Sequence, residues 1–226
     1  MFVLKLRRKC ILCNKYHKYS DMRFIYRGIG VCSSCYEGII TKGDKSFGAT
    51  PPVDYIIAPF DYEGVMKNAV KKYKFAGQRA YGKLFGDMMC CELSGLEMFY
   101  GFDYVIPVPL HSSRLNERGY NQSDMLAEAV AKQYNVPYID DALFRIRETK
   151  RQSGLKGMDR ITNVRSAFYA AESVVAGKKI ILVDDIYTMG QTMSACASAL
   201  KDAGAERIVG VTLCKTPFKE RKPFLR

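Results

Sequence analysis

The chain has 226 residues, of which 48% are hydrophobic, and carries a formal net charge of +12 at pH 7. It has no uninterrupted apolar run of about 18 residues, so no transmembrane helix is expected. Eight cysteines without a recognisable signal peptide predict a cytosolic protein whose thiols stay reduced.

Four cysteines near the N-terminus have the spacing of a metal site. Two CxxC pairs are separated by 18 residues and comprise Cys10, Cys13, Cys32 and Cys35. They supply four thiolates for a closed, structural Zn²⁺ site, and the polar residues around them leave too small a core to fold without metal. The alternative is a pair of disulfides, which seldom persist in the cytosol. His17 is a less favoured substitute ligand.

The N-terminal region is the basic end of the chain. Residues 1–50 contain ten Lys or Arg and three acidic residues, which gives +7 of the total +12. Such a surface could contact phosphate backbones, although a solvated basic face explains the charge equally well. Glycines and the Pro51-Pro52 pair give residues 43–54 the composition of a linker. We therefore predict a zinc module over residues 1–45, a linker over 46–54 and a second domain over 55–226.

Basic and aromatic residues alternate in the segment 67–75, which includes Lys67, Tyr73 and Phe75. Such a pattern suits single-stranded nucleic acid, because cations pair with phosphates and aromatic rings stack on bases. The same aromatic residues could instead belong to the core.

A predicted strand over residues 104–110 ends at two prolines and leads into a polar loop over 111–123. The loop carries Arg114 and Arg118, whose guanidinium groups match phosphate oxygens. His111 as a general base is a weaker alternative because no partner for it is evident, and Arg118 could simply pack against Tyr120. The loop is therefore a candidate phosphate-binding segment. It would complete a larger site if its strand lies beside a second strand that ends in ligand-binding residues.

A second basic stretch covers residues 145–165. It contains Gly154 and Gly157, which predict a mobile loop, and six residues that could contact a ligand: Arg147, Lys150, Arg151, Gln152, Lys156 and Arg160. A flexible loop of this kind can close over a site and exclude water, but a solvated surface loop fits the sequence equally well.

Residues 180–192 are the most informative segment. Four apolar residues without alternation predict a strand buried on both faces, followed by Asp184 and Asp185 and then by a loop with Thr188, Gly190 and Thr192. The next apolar residues lie on one helical stripe, so the loop should lead into a helix N-terminus, which attracts phosphate. The two carboxylates suit adjacent sugar hydroxyls. The segment predicts a site for a phosphorylated sugar.

The same segment allows two other interpretations. A Walker B strand also ends in acidic residues, but the chain lacks the GxxxxGK sequence followed by Ser or Thr that a P-loop enzyme requires. The second alternative is an acidic strand-to-helix turn that binds nothing.

Residues 180–192 strongly resemble the signature of type I phosphoribosyltransferases, with Met189 where many members carry a second Thr. With the CxxC pairs, four further segments resemble the ComF family: residues 74–77 (KFAG), 107–111 (PVPLH), 118–122 (RGYNQ) and 152–155 (QSGL). The resemblance implies an α/β fold with a mostly parallel sheet flanked by helices, preceded by the small four-cysteine zinc module.

The resemblance also implies site roles. The ribose of phosphoribosyl pyrophosphate, which binds with Mg²⁺, would contact Asp184 and Asp185, the implied catalytic pair. The 5′-phosphate would bind the following loop, made of Thr188, Met189, Gly190, Gln191 and Thr192. The pyrophosphate would bind His111, Ser112, Ser113 and Arg114. The loop over 145–165 would close over it, and residues 60–100, with Tyr62, Lys67, Lys71, Lys72, Tyr73 and Lys74, would form a hood over an acceptor.

ComF proteins are associated with natural competence. The resemblance implies a cytoplasmic protein, including the inner face of the membrane, that handles imported single-stranded DNA beside a helicase-like partner. An active phosphoribosyltransferase with an unidentified base or amine acceptor is the alternative. A scaffold whose pocket has lost its ligand is a third interpretation.

Overall fold

The computed structural model describes residues 7–39, 46–47, 51–75, 77–147 and 167–217. The N-terminal module is a small sheet with strand order β2-β1-β4-β3, in which only the β1–β4 pairing is parallel. Its elements are β1 (Arg7–Cys10), β2 (Tyr16–Lys18), a 3₁₀ turn (Tyr19–Asp21), β3 (Met22–Tyr26), β4 (Ile29–Cys32) and α1 (Ser33–Ile39).

The main sheet has the order β5-β6-β12-β11-β8, with β7 also paired to β12. All of its pairings are parallel except that of β5 with β6. A separate two-stranded sheet is formed by β9 and β10. The strands are β5 (Ser46–Phe47), β6 (Tyr55–Ile57), β7 (Phe60–Asp61), β8 (Tyr104–Pro107), β9 (Leu143–Arg145), β10 (Phe168–Ala170), β11 (Lys179–Tyr187) and β12 (Arg207–Lys215).

The helices of the larger domain cover the main sheet. They are α2 (Gly64–Phe75), α3 (Ala80–Leu93), α4 (Ser112–Arg118), α5 (Gln122–Tyr134), α6 (Glu172–Val175) and α7 (Gln191–Asp202), with a 3₁₀ turn at Glu97–Phe99. No helix within the described ranges is both long enough and apolar enough to span a bilayer.

The central strand β11 is buried on both faces. Ile181 and Val183 pack into one hydrophobic cluster, whereas Ile180 and Leu182 pack into the cluster on the opposite side, and all four are fully buried. This arrangement explains the uninterrupted apolar run, since successive strand residues point to opposite faces. The predicted α/β fold with a mostly parallel sheet flanked by helices is confirmed.

The N-terminal module shares a core with the larger domain. Tyr36 of α1 packs edge-to-face against Phe24 of the module at 5.0 Å and against Phe60 of the main sheet at 6.3 Å. Its hydroxyl donates to a carboxylate oxygen of Glu92 in α3. Lys72 of α2 donates to Asn14 at 2.8 Å. The two parts are therefore joined by buried aromatic contacts as well as by the chain between them.

Part of the predicted linker belongs to the main sheet, because Ser46–Phe47 pairs with β6 at its edge. The predicted mobile loop over 145–165 lies mostly outside the described residues, including Lys150, Arg151, Gln152, Lys156 and Arg160.

Candidate phosphate and metal sites

A polar cavity lies at the edge of the main sheet, at the point where β8 ends and its neighbour β11 continues. Val183 pairs with Pro107, the last residue of β8, while β11 continues to Tyr187 beside β12. The acidic pair follows Val183 directly, so the open space beyond β8 lies next to it. A cavity of about 300 Å³ is found there, lined by Tyr62, Lys74, Val108, Pro109, Leu110, Arg114, Arg118, Gln122, Ser123, Arg145, Asp184, Asp185, Ile186, Thr188 and Thr192. The two predicted polar segments thus meet at one edge of the sheet.

The predicted strand boundary requires correction. The sequence predicts a strand with the two acids at its end, but β11 continues past both acids to Tyr187. The reason is β12, which continues to pair with β11 as far as Tyr187 opposite Lys215. The two carboxylates therefore lie within the paired part of the strand and not at its end.

Asp184 is oriented by the helix that packs on its strand. Ser123, in the first turn of α5, donates its hydroxyl to Asp184 Oδ1 at 3.0 Å. The same oxygen accepts from the backbone N–H of Asp185 at 2.8 Å. Asn121 caps α5 and accepts from the Ser123 N–H at 3.3 Å, which fixes the start of the helix. These contacts place a half-buried carboxylate at the cavity wall.

Asp185 forms an ion pair with Lys74 from α2. Lys74 Nζ lies 2.8 Å from Asp185 Oδ2, and the two side chains are only 17% and 7% exposed. Lys74 sits beside Tyr73, whose fully buried ring belongs to the apolar face of α2 formed with Met66, Ala69 and Val70. The packing of α2 thereby presents the ammonium group to the carboxylate.

Burial raises the pKa of Asp184 to about 7, and the neighbouring Asp185 carboxylate adds to the increase, whereas Lys74 and the hydrogen bonds from Asp185 and Ser123 oppose it. The group therefore ionises much less readily than an exposed aspartate. A bound cation or a set of hydroxyl donors would favour its charged form.

The raised pKa of Asp184 predicts that the free energy of unfolding depends on pH. The pKa of Asp184 is higher in the folded chain than in the unfolded chain, so its protonated form stabilises the fold. This stabilisation is complete below about pH 4 and is lost as the pH rises to about 7. Over that range the free energy of unfolding falls by at most about 1.4 kcal/mol per pH unit. Urea unfolding at pH 5 and pH 7.5 should show the chain losing more stability over this interval than its Asp184→Asn variant. Parallel changes in the two proteins would contradict the assignment.

The loop after β11 leads into a helix N-terminus, as the sequence predicts. Gly190 has a φ of 72° and immediately precedes α7. A Cβ atom at this position would collide with the Tyr187 side chain, so glycine is required both for backbone conformation and for space. Thr188 and Thr192 line the cavity, while Met189 is 76% exposed. The atypical methionine therefore lies at the surface of the loop.

The predicted polar loop over 111–123 is instead largely helical. His111 caps α4 through Nδ1, which accepts from the Ser113 N–H at 3.3 Å, and Gly119 ends the helix with a φ of 74°. The sequence prediction missed this capped turn. Of the four residues expected to bind pyrophosphate, Arg114 lines the cavity. His111, Ser112 and Ser113 are not among its lining residues, and Ser112 lines a different cavity.

Arg118 has a larger role in the cavity than packing against Tyr120. Its guanidinium lies 4.8 Å from the centre of the Phe75 ring and donates to Gln122 Oε1 at 2.6 Å. Burial lowers its pKa, opposed by the Asp185 carboxylate. Tyr120 instead faces Arg79 and is itself buried.

The cavity wall is net cationic and suits a polyanion. Among its lining residues, Lys74, Arg114, Arg118 and Arg145 are basic and two aspartates are acidic. The aspartates occupy the strand end, while Arg114 and Arg118 come from α4. The cavity therefore combines groups that accept hydrogen bonds from hydroxyls with cations that bind phosphate, as a sugar carrying phosphate groups would require.

The four cysteine sulfurs converge in the N-terminal module. The Sγ atoms of Cys10, Cys13, Cys32 and Cys35 all lie within 4.8 Å of one another. Each CxxC pair spans a strand end and the turn after it, at β1 and at the β4–α1 junction. His17 Nε2 lies 3.2 Å from Cys13 Sγ and so sits beside the cluster. Four thiol ligands fit a closed site for a metal such as zinc.

Several cavity residues were not assigned by the sequence. Lys74 was expected only in a hood, and Ser123 and Gln122 were not singled out as ligands. Their roles depend on how α2 and α5 pack against β11, which local sequence does not encode. One available signal was Asn121, because an Asn at a helix start predicts that Ser123 lies in the first turn.

A family model matches part of the larger domain, and several known proteins are similar to longer stretches of the chain. The phosphoribosyl transferase domain model matches residues 121–223. Competence protein F of Haemophilus influenzae is 35% identical over 46% of this chain and 46% of its own length. The DNA utilization protein YhgH of Shigella flexneri is 28% identical over 74% of each chain. Competence protein ComFC of Streptococcus pneumoniae is 31% identical over 70% of this chain and 67% of its own. The chain thus spans about half of the first relative and two thirds or more of the other two.

Proposed function

Because the chain belongs to the ComF family, we propose that it acts in DNA uptake and natural transformation by binding phosphoribosyl pyrophosphate, or a related phosphate ligand, and handling single-stranded DNA. Its relatives named competence protein F and ComFC support the physiological role. The phosphoribosyl transferase domain supports the ligand class.

The observation that carries the ligand proposal is the convergence of three elements on one cavity. The end of β11 supplies Asp184 and Asp185, the start of α7 supplies free backbone N–H groups, and α4 supplies Arg114. A helix N-terminus attracts phosphate through these N–H groups and the helix dipole. Carboxylates accept hydrogen bonds from hydroxyls. This set of contacts is suited to a sugar phosphate.

In the proposed complex, the 5′-phosphate lies at the start of α7 between Thr188 and Thr192. The ribose hydroxyls donate to Asp184 and Asp185, and the pyrophosphate lies near Arg114. Mg²⁺, bound to the ligand, would reduce the repulsion between the pyrophosphate and the carboxylates. Lys74 must share Asp185 with the ribose, which makes this ion pair part of the binding site.

Calorimetric titration of phosphoribosyl pyrophosphate with Mg²⁺ into the zinc-loaded chain tests the proposal. We expect saturable binding that weakens at least about 100-fold in the Asp184→Asn, Asp185→Asn variant, because two hydrogen bonds to charged groups are lost. Asp202→Asn, Glu206→Gln removes the same charge from exposed positions and should bind normally.

A second variant keeps the test informative if the acidic double variant is unstable. Arg114→Ala, on the surface helix α4, should lose affinity for phosphoribosyl pyrophosphate and retain it for ribose 5-phosphate, which lacks the pyrophosphate. No binding by the intact chain, or equal losses in the exposed control, would reject the assigned pocket.

An active phosphoribosyltransferase is the second candidate. The observation in its favour is that carboxylates and guanidinium groups line the same cavity, where they could stabilise a cationic sugar and a departing pyrophosphate. Acceptor-dependent release of pyrophosphate would support catalysis. Its absence with purines, pyrimidines and amines, in a protein that binds the ligand, would support a binding role.

The wider physiological proposal includes partners and location. A protein that handles imported strands would act in the cytoplasm or at the inner face of the membrane, beside a helicase-like competence protein. Co-purification with that partner, dependent on single-stranded DNA, would test this part of the proposal separately.

A further inference from the structure

One face of the N-terminal module combines exposed cations with an exposed aromatic ring. Strands β1 and β2 pair antiparallel, with Arg7 opposite Lys18 and Lys9 opposite Tyr16. Because strand residues alternate between faces, these four side chains share one side of the ribbon. We call this set the ribbon face. All four residues are exposed, and Tyr16 is 64% exposed.

The opposite side of the same ribbon has a structural task. Cys10 is fully buried in the thiol cluster, and Arg8 and His17 are partly buried. The inner side of the ribbon therefore serves metal binding and packing, whereas the ribbon face is open to solvent. No acidic residue in the described ranges forms an ion pair with Arg7, Lys9 or Lys18.

The spacing of the ribbon face suits an extended chain of phosphates. Arg7 and Lys9 are two residues apart on one strand, a separation of about 7 Å, and cross-strand neighbours have Cβ atoms about 5 Å apart. Tyr16 thus stands beside Lys9, while Tyr19, 59% exposed, follows Lys18 at the end of β2. Cations beside solvent-facing aromatic rings can pair with phosphates while the rings stack on unpaired bases.

We propose that the ribbon face binds single-stranded DNA, with phosphates paired to Arg7, Lys9 and Lys18 and a base stacked on Tyr16. This assignment rests on the proposed function and specifies which surface handles the strand. Bases in a duplex are already stacked on one another, so the aromatic contact favours an unpaired strand. The DNA site is separate from the sugar-phosphate cavity, which is formed by the larger domain.

Fluorescence anisotropy with a labelled oligothymidylate strand, measured over a series of salt concentrations, tests the proposal on the zinc-loaded full chain. The Arg7→Ala, Lys9→Ala, Lys18→Ala variant should reduce the slope of log affinity against log salt by about 2, since each phosphate contact on a single strand contributes about 0.7. Tyr16→Ala should weaken binding about tenfold with little change in slope.

Two controls match these variants. Lys132→Ala, Lys178→Ala, Arg207→Ala removes the same charge from the larger domain, and Tyr100→Ala removes a ring that is 67% exposed. Both should leave strand binding unchanged. Metal content and melting temperature identify a misfolded ribbon variant, in which case Tyr16→Ala alone carries the test.

The outcomes separate the ribbon from the cavity. The ribbon variants should bind phosphoribosyl pyrophosphate normally, so a failed ligand titration and a failed DNA titration are independent results. Equal losses in the ribbon and control variants would overturn the proposal, as would an unchanged salt slope. It would also be overturned if the ribbon variants lost binding to phosphatidylglycerol vesicles but retained full affinity for the strand.

Discussion

Removal of metal from the N-terminal module is expected to unfold it. Four thiolates without a metal would leave only a small apolar core around Ile11, Leu12 and Val31. Structural zinc contributes on the order of 10 kcal/mol in modules of this kind, which exceeds what such a core supplies. Chelation, or Cys10→Ser, should therefore expose residues 7–39 to proteolysis.

Removal of the metal should also destabilise the larger domain. Tyr36 contacts both Phe24 and Phe60, so unfolding of the module removes part of a shared core. We expect a lower melting temperature for the whole chain, restored by adding Zn²⁺. Cys90→Ser provides the matched control because Cys90 lies outside the cysteine cluster. Unchanged proteolysis and melting after complete metal removal would contradict a structural metal site.

The Lys74–Asp185 ion pair is expected to have the second large effect. Lys74→Met would leave Asp185 charged and almost fully enclosed, and Asp185→Asn would leave the ammonium without its partner. Removing one member of a buried pair costs about 3–5 kcal/mol, although replacing both members can be nearly neutral. Each single variant should therefore lose about 3 kcal/mol in urea unfolding, whereas Lys74→Met, Asp185→Asn should recover most of it.

The exposed pair Lys83–Asp87 supplies the comparison. Its side chains are 49% and 36% exposed, so Lys83→Met should change stability by less than about 1 kcal/mol. Additive losses in the Lys74 and Asp185 double variant would show that the two groups do not stabilise each other, and would contradict the ion pair.

The sequence predicted those features that depend on local pattern. The apolar run 180–183 is buried on both faces of the sheet, and Met193, Cys196 and Leu200 form the buried stripe of α7. The cysteine spacing predicted the thiol cluster, because each CxxC pair needs only a tight turn to bring two sulfurs together. The strand before Arg114 indeed lies beside β11.

Features that depend on tertiary packing were missed or misplaced. The strand end was placed too early because pairing with β12 carries β11 past two aspartates that have low strand propensity. The helix α4 was predicted as loop because its polar sequence has no apolar stripe, and His111 is an uncommon cap. The contact of Lys74 with Asp185 joins residues more than a hundred positions apart, which no local pattern can indicate.

The most direct test of the proposed ligand site is a crystal structure of the zinc-loaded chain with phosphoribosyl pyrophosphate and Mg²⁺. We expect the 5′-phosphate at the N-terminus of α7 between Thr188 and Thr192, and the ribose hydroxyls on Asp184 and Asp185. The proposal would be contradicted by a ligand bound elsewhere. It would also be contradicted by an empty cavity in crystals grown with saturating ligand.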